Sequence, residues 1–388
     1  MTKNRVQSVD LLKGLVMVIM ALDHVRDYFH YSSFFFDPTD PALTTLPIFF
    51  TRFVTNFCAP AFSFLAGVSA YLVGKRKNLY ELSSFLLKRG LWLIFIEVVV
   101  MNFGWHFDIH FRNIALQVIW SLGISMVLLA GLIHLPRNYL IIFSCLLIFG
   151  HNLLDSLHFD GNILWTLLHE RRRYADIIPG HAIGSSYAII PWVAVMTLGY
   201  CFGPFYNPDY SHLKRKRIFN FMGIAALLVL LVIRGTNIYG DPYPWKNYGS
   251  NTQNLFSFLN FNKYPPSLSF LLATLGTSFL FLANSEKLKG KVVNFFCVFG
   301  RVPFFYYIIH IYLIHLLALI LAGFSDFGWQ KMILPAMPFR VEALKGFGFN
   351  LVTVYLIWIA IVVALYPLCR KFDKYKQTHK HQWWLSYL

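Results

Sequence analysis

Charge is what this chain has least of. Only 13% of its 388 residues are charged, and only 18 are acidic. A soluble domain carries about 25% charged residues, so a solvated globular surface is excluded. The five cysteines (Cys58, Cys145, Cys201, Cys297 and Cys369) form no CxxC and no close pairs. That argues against a disulfide framework and against a structural zinc site. There is no Walker loop, no GxGxxG and no G-x-S-x-G, so the usual marks of nucleotide binding and of a nucleophile elbow are missing. No internal repeat, low-complexity tract or soluble segment interrupts the chain, and residues 1–388 are read as a single domain. The first apolar segment lacks a small-residue cleavage site, so it is expected to stay as a membrane span.

What is present is apolar. The chain is 57% hydrophobic and 18% aromatic, with 39 Phe, 21 Tyr and 10 Trp. This predicts an all-α polytopic membrane protein with aromatics for both interface belts. A spanning helix needs about 20 predominantly apolar residues. Ten segments qualify: 9–30, 49–73, 84–104, 113–133, 138–154, 186–205, 218–235, 266–284, 302–323 and 349–369. Pro60 and Pro191 fall inside two of them. With Lys3, Arg5 and Lys13 inside, roughly 22 of the 34 Lys and Arg fall on the same side, as positive-inside topology requires. Both termini are then cytosolic, and the net charge of +16 reflects topology, with no nucleic acid implied. The expected location is a bacterial inner membrane, and a homodimer is compatible with this reading.

The densest charge lies in Asp23-His24-Val25-Arg26-Asp27, at the far end of the first span. At the bilayer centre each Asp or Arg costs roughly 2.5–3.5 kcal/mol, so such groups face a bundle interior, pair with one another and mark function. On a helix His24 and Asp27 share a face. Asp27 is therefore expected to hold one imidazole nitrogen and leave the other as a base. The plain alternative is a salt-bridged helix end that only anchors the segment.

Other polar residues gather toward the outer span ends: Arg52 and Asn56, Asn102 with His106, His151 and Asp155, Arg234 and Asn237, then Asp241 and Lys263. Each alone reads as an interface anchor; together they suggest a shared, outward-opening cavity. Span nine begins at Gly300-Arg301-Val302-Pro303 and carries Tyr306, Tyr307, His310 and His315. At 1.5 Å per residue, His310 lies about 10 Å, His315 about 18 Å and His24 about 22 Å from the inner boundary. The two histidines of span nine are five residues apart, point in different directions, and at least one reads as a satisfied core histidine. Glu97 and Gln117 are buried polar groups whose partners the sequence does not assign. His106-x-x-x-His110 with Asp108 has metal-like spacing but no further ligand nearby, and no metal is expected.

Several stretches carry a resemblance. Arg5-x-x-Ser8-Val9-Asp10-Leu11-Leu12-Lys13-Gly14-Leu15, followed by Met20 to Asp27, opens the chain. Further on come Cys58-Ala59-Pro60-Ala61-Phe62, Leu116 to Gly123, His151 to Asp155, Tyr239-Gly240-Asp241-Pro242, Lys263 to Leu268 and Gly300 to Tyr307. The chain resembles the heparan-alpha-glucosaminide N-acetyltransferase-like family of transmembrane acyltransferases, in its bacterial branch. The resemblance implies acyl transfer across a membrane, from cytosolic acetyl-CoA or another acyl-CoA to an amino or hydroxyl group of an extracytoplasmic sugar or glycan. His24 falls where the lysosomal member has asparagine. The histidine credited with catalysis there aligns near Phe35, with His30 the nearest histidine.

The expected roles follow. His24 serves as base with Asp23, Asp27 and Asn56; Arg26, Arg52, His151, Asp155, Arg234, Asn237, Asp241 and Lys263 bind acceptor. Arg301, Tyr306, Tyr307, His310, Lys88 and Arg89 line the donor's path, the basic ones as phosphate partners. His30 and His310 stay open as alternative bases. The competing reading is a transporter or proton-coupled permease that uses the same buried charges as a relay.

Overall fold

The computed structural model describes residues 6–386, so Lys3 and Arg5 of the inner charge set lie outside the described residues. The architecture is predominantly helical, with one small sheet. Helix α1 is Gln7–Phe29, α2 Leu46–Phe53, α3 Cys58–Gly74, α4 Leu79–Ile96 and α5 Asn102–His106. After strand β1 (Asn113–Leu116) come α6 Val118–Leu132, α7 Arg137–Gly150 and α8 Ile163–Leu168. Strands β2 (Arg172–Ile178) and β3 (His181–Ser185) precede α9 Ile189–Phe202, α10 His212–Thr236 and α11 Asn251–Leu259. The chain closes with α12 Leu268–Ser285, α13 Lys291–Arg301, α14 Pro303–Gly323 and α15 Leu351–Thr378.

Among the described residues, seven helical segments are long and apolar enough to cross a membrane: Leu46–Gly74, Arg137–Leu154, Ile189–Tyr206, His212–Thr236, Leu268–Ser285, Pro303–Gly323 and Leu351–Thr378. They match seven of the ten expected spans. The first expected span is a single 23-residue helix, α1, whose charges keep it out of the apolar set. The third is α4 continued through a π-helical turn, Glu97–Met101, into α5. The fourth departs from expectation: its first residues are strand β1 and its helix has only 15 residues. Burial sorts the apolar helices. Only 22% of the apolar window of α10 and of α15 is buried in the protein, against 78% for α12. So α12 is central, while α10 and α15 present apolar surface for lipid.

Local signals place the helix ends. Asn78 and Glu81 form a capping box at α4, Ser267 caps α12, and Asn350 caps α15. Pro303 opens α14 at a position where a missing N–H costs nothing. Helix pairs meet at glycines, as membrane bundles do. A Cβ on Gly14 would lie 1.8 Å from the Phe296 carbonyl oxygen, and one on Gly300 1.8 Å from that of Asp10. Gly67 and Gly199 bring α3 and α9 together in the same way. The Gly14–Gly300 contact fixes α13, and through it α14, in register beside α1.

Two buried polar groups find their partners. Glu97 accepts the Trp120 N–H at 3.1 Å and caps the start of α6. His315 lies between the carbonyl oxygens of Gly104 and Met332, at 2.8 Å from each, and pins α14 to α5. A small sheet, in the order β1-β3-β2, pairs β1 with β3 in parallel and β2 with β3 antiparallel. The span pattern gave no signal for it.

Candidate active site

A cavity of about 920 Å³ is lined by α1, the α2–α3 corner, the small sheet and the loop that carries Lys263. Asp23, His24, Arg26, Asp27, Arg52, Asn56, Asp155, Lys263 and Tyr307 all line it. The structure thus brings together nine of the expected site residues from five parts of the chain.

The charges alternate. Asp27 pairs with Arg26 at 2.6 Å, Arg26 with Asp23 at 2.8 Å, and Asp23 with Arg52 at 3.2 Å. Arg52 also donates to Thr55 at 2.7 Å. Arg26 is 4% exposed, and buried charges persist only when paired in this way. This corrects the expected contact between Asp27 and His24. The neighbouring guanidinium takes Asp27, because a charge-assisted bond is stronger than one to a neutral imidazole.

The His24 ring reaches across to α14 instead. Its Nδ1 lies 2.8 Å from His310 Nε2, and His310 Nδ1 lies 2.8 Å from the Tyr306 carbonyl oxygen. A carbonyl only accepts, so His310 Nδ1 carries the proton and the Nε2 of the neutral ring accepts. His24 Nδ1–H must then donate to it. In a neutral His24 ring that leaves Nε2 unprotonated, and His24 lines the cavity. Trp105 stands edge-on to the His24 ring at 4.9 Å. Helical depth counting had separated the two histidines by about 12 Å. That count starts both spans level, whereas the Gly14–Gly300 contact meets α1 seven residues in, just before α14 begins, and His24 and His310 each lie ten residues beyond it.

Other expected residues lie elsewhere. Arg234 donates to the carbonyls of Phe258, Tyr243, Ser257 and Asn260 at 3.0–3.1 Å. Asp241 accepts from the N–H groups of Tyr243 and Asn262 and from the Ser267 hydroxyl. Burial pushes the Asp241 carboxyl above its usual range, against the pull of Arg234. Asn237 ends α10 in the left-handed region, at φ 59°, and bonds Trp245. These three do not line the cavity. They build the loop that delivers Lys263 and Tyr264 to it.

His151 is buried behind the cavity wall and touches His169, not Asp155, which His169 contacts at 3.1 Å. Arg301 pairs with Asp373 at 2.7 Å, away from the cavity, and Lys88 does not line this cavity either. His30 bonds Ser32 at 2.6 Å and does not line this cavity. His106 and Asp108 hold the β1 approach through Asn102, Asn113 and Arg112. Burial would raise Asp108, but Arg112 and two loop N–H groups keep its carboxyl below the usual range.

A second, apolar cavity of about 210 Å³ adjoins the first. Met20, Phe62, Val118 and Tyr307 line both. Its opposite end carries Lys13 and Arg89, and Arg89 was an expected donor contact. The cavity residues the sequence reading missed are loop groups: Tyr264, Tyr187, His158, His169, Glu170 and Arg171. Burial raises the Tyr264 phenol, but Lys263, Arg52 and Arg171 outweigh it and hold it below its ordinary value. Of these only Tyr264 adjoins a residue the sequence singles out, Lys263, which alone reads as an interface anchor.

The model of the family heparan-alpha-glucosaminide N-acetyltransferase, catalytic, matches residues 5–235. The chain belongs to that family. The matched region includes α1, the α2–α3 corner, the small sheet and α9, so it supplies most of the cavity wall. The family and the apolar helices make this an integral membrane protein of the acetyltransferase class. No curated protein matches the chain.

Proposed function

We propose that this protein moves an acetyl or other acyl group from cytosolic acyl-CoA to an amino or hydroxyl group of an extracytoplasmic sugar, with His24 as base. The observation that carries the reading is the hydrogen-bond chain from the Tyr306 carbonyl through His310 to His24, ending at a free Nε2 on a polar cavity. In the proposed step His24 Nε2 takes the acceptor's proton as its oxygen or nitrogen attacks the thioester carbonyl. The side-chain amide of Asn56 offers a donor to the oxyanion. The C–S bond then breaks, and His24 returns the proton to the leaving CoA sulfur. His310 keeps the His24 tautomer and orientation throughout. Phe35, near which the family's catalytic histidine aligns, lines the same cavity.

The two adjoining cavities suggest the donor's route. Lys13 and Arg89 at the far end of the apolar cavity suit the nucleotide phosphates, and the apolar walls suit the thin pantetheine arm. The thioester would arrive near Tyr307 and His24 while the phosphates stay out of hydrocarbon. This route replaces the one past Arg301, which lines neither cavity. We further propose ten spans with both termini inside, α1, the α4–α5 helix and α6 joining the seven apolar ones, in a bacterial inner membrane. Purified protein given acetyl-CoA and candidate sugars tests the reading. Acceptor-dependent release of free CoA supports it. Solute flux through proteoliposomes without thioester loss supports the transporter reading instead.

A further inference from the structure

We propose that His151, Asp155 and His169 form a binding site for a zinc-class divalent cation at the wall of the polar cavity. One ligand atom from each lies within 4.8 Å of the other two. Tetrahedral zinc with bonds of about 2.0–2.1 Å places its ligands about 3.3 Å apart. The Asp155 Oδ1 to His169 Nε2 distance of 3.1 Å already approaches that spacing.

His151 supplies the independent reason to expect an ion. It is 1% exposed, and neither ring nitrogen has a hydrogen-bond partner among the described residues. His169 is 2% exposed, with its Nδ1 likewise unpartnered. Native structures seldom leave buried polar groups unmatched, and each such group calls for an explanation. An ion between the two rings and the carboxylate provides one.

The surroundings fit the same reading. Asn152 donates to Asp155 Oδ2 at 2.7 Å while its own oxygen accepts the Leu268 N–H at 2.8 Å. This outer partner turns Oδ1 toward the histidines, as the supports of metal ligands do. Glu170, next in sequence, is already taken by His158 and Arg172, each at 2.7 Å. Two imidazoles and one carboxylate select zinc-like ions over magnesium or calcium, which prefer oxygen alone. Asp155 and His169 line the cavity and His151 lies behind them, so the fourth position faces the cavity. Three protein ligands with one open position is the arrangement that holds a water or a ligand hydroxyl. The site stands whether or not the cavity performs acyl transfer.

Cobalt(II) titration of the chelator-stripped full-length protein in detergent tests this. The expected result is saturable uptake of about one ion per chain, with visible bands of low-symmetry four- or five-coordinate cobalt that zinc abolishes. His151→Gln and Asp155→Asn should each weaken uptake by at least about tenfold, while His158→Gln leaves it unchanged. Absence of uptake by the wild-type protein overturns the proposal, as does uptake that His151→Gln and Asp155→Asn leave intact. If a variant does not elute as a single species, X-ray absorption of the wild-type zinc form decides. Imidazole scattering with a nitrogen and oxygen shell supports the site, and its absence refutes it.

Discussion

Replacing Gly14 by alanine should disturb the His24–His310 pair from ten residues away. The added Cβ would sit 1.8 Å from the Phe296 carbonyl oxygen and 2.6 Å from its carbon, while ordinary contact begins at 3.4 Å. These are backbone atoms, so no side-chain rotation relieves the clash. The α1 and α13 backbones must part by about 1.6 Å to restore contact. Overpacking of this kind costs about 1–3 kcal/mol. Helix α14 follows α13 after Val302, so part of the displacement reaches His310, whose bond to His24 is 2.8 Å long. A misplacement of about 1 Å can cost roughly a hundredfold in rate. Gly14→Ala should therefore lower the melting temperature in detergent and reduce acyl transfer about 10- to 100-fold, the rate loss exceeding any loss of folded protein. Gly131→Ala is the control, because its Cβ would meet nothing within 4 Å and alanine favours a helix by up to about 1 kcal/mol. If the two variants match in both assays, the idea that this glycine contact sets the register of the histidines is wrong.

Three further outcomes are expected. His310→Phe keeps the ring volume but removes the acceptor for His24 Nδ1–H, so kcat should fall about 10- to 100-fold, equivalent to about 1.4–2.7 kcal/mol, with KM little changed; His310→Gln, which keeps an acceptor, should recover part of it in steady-state kinetics. Arg26→Met strands Asp23 and Asp27 without their shared partner and should destabilise the fold by about 3–5 kcal/mol, with partial rescue by adding Asp27→Asn, both read by thermal unfolding. Lys13→Ala and Arg89→Ala should each weaken acyl-CoA binding in a titration more than Arg301→Ala does; equal losses in all three would remove the apolar cavity as the donor route.

The parts that were legible in sequence are those written in composition and local charge. Seven of the ten expected spans are long apolar helices, since a run of about 20 apolar residues admits few other structures. The Asp23–Asp27 cluster stood out because charge in an apolar run is costly. Partner choice was not legible. That His24 meets His310, and that Asp27 goes to Arg26, depend on the register between α1 and α14. The register is set by Gly14 and Gly300, and a glycine does not announce its contact. The strand at 113–116 reads as apolar as a helix start, so composition extends the fourth span beyond its 15-residue helix. His169 lies in a polar loop outside every span, so its approach to Asp155 and His151 had no signal in spacing. Arg234 and Asp241 looked like site residues because the sequence shows charge but not the loop carbonyls and N–H groups that occupy it.

The central claim is that His24 moves the proton in acyl transfer. Single-turnover transfer of labelled acetyl from acetyl-CoA to a sugar acceptor, compared between wild type and His24→Ala, tests it most directly. General base catalysis contributes about 10²–10⁴-fold, so the variant should insert and melt like wild type, bind acetyl-CoA with similar affinity, and transfer acetyl slower by that factor. A His24→Ala protein that transfers acetyl within about twofold of the wild-type rate, well short of that contribution, would contradict the account.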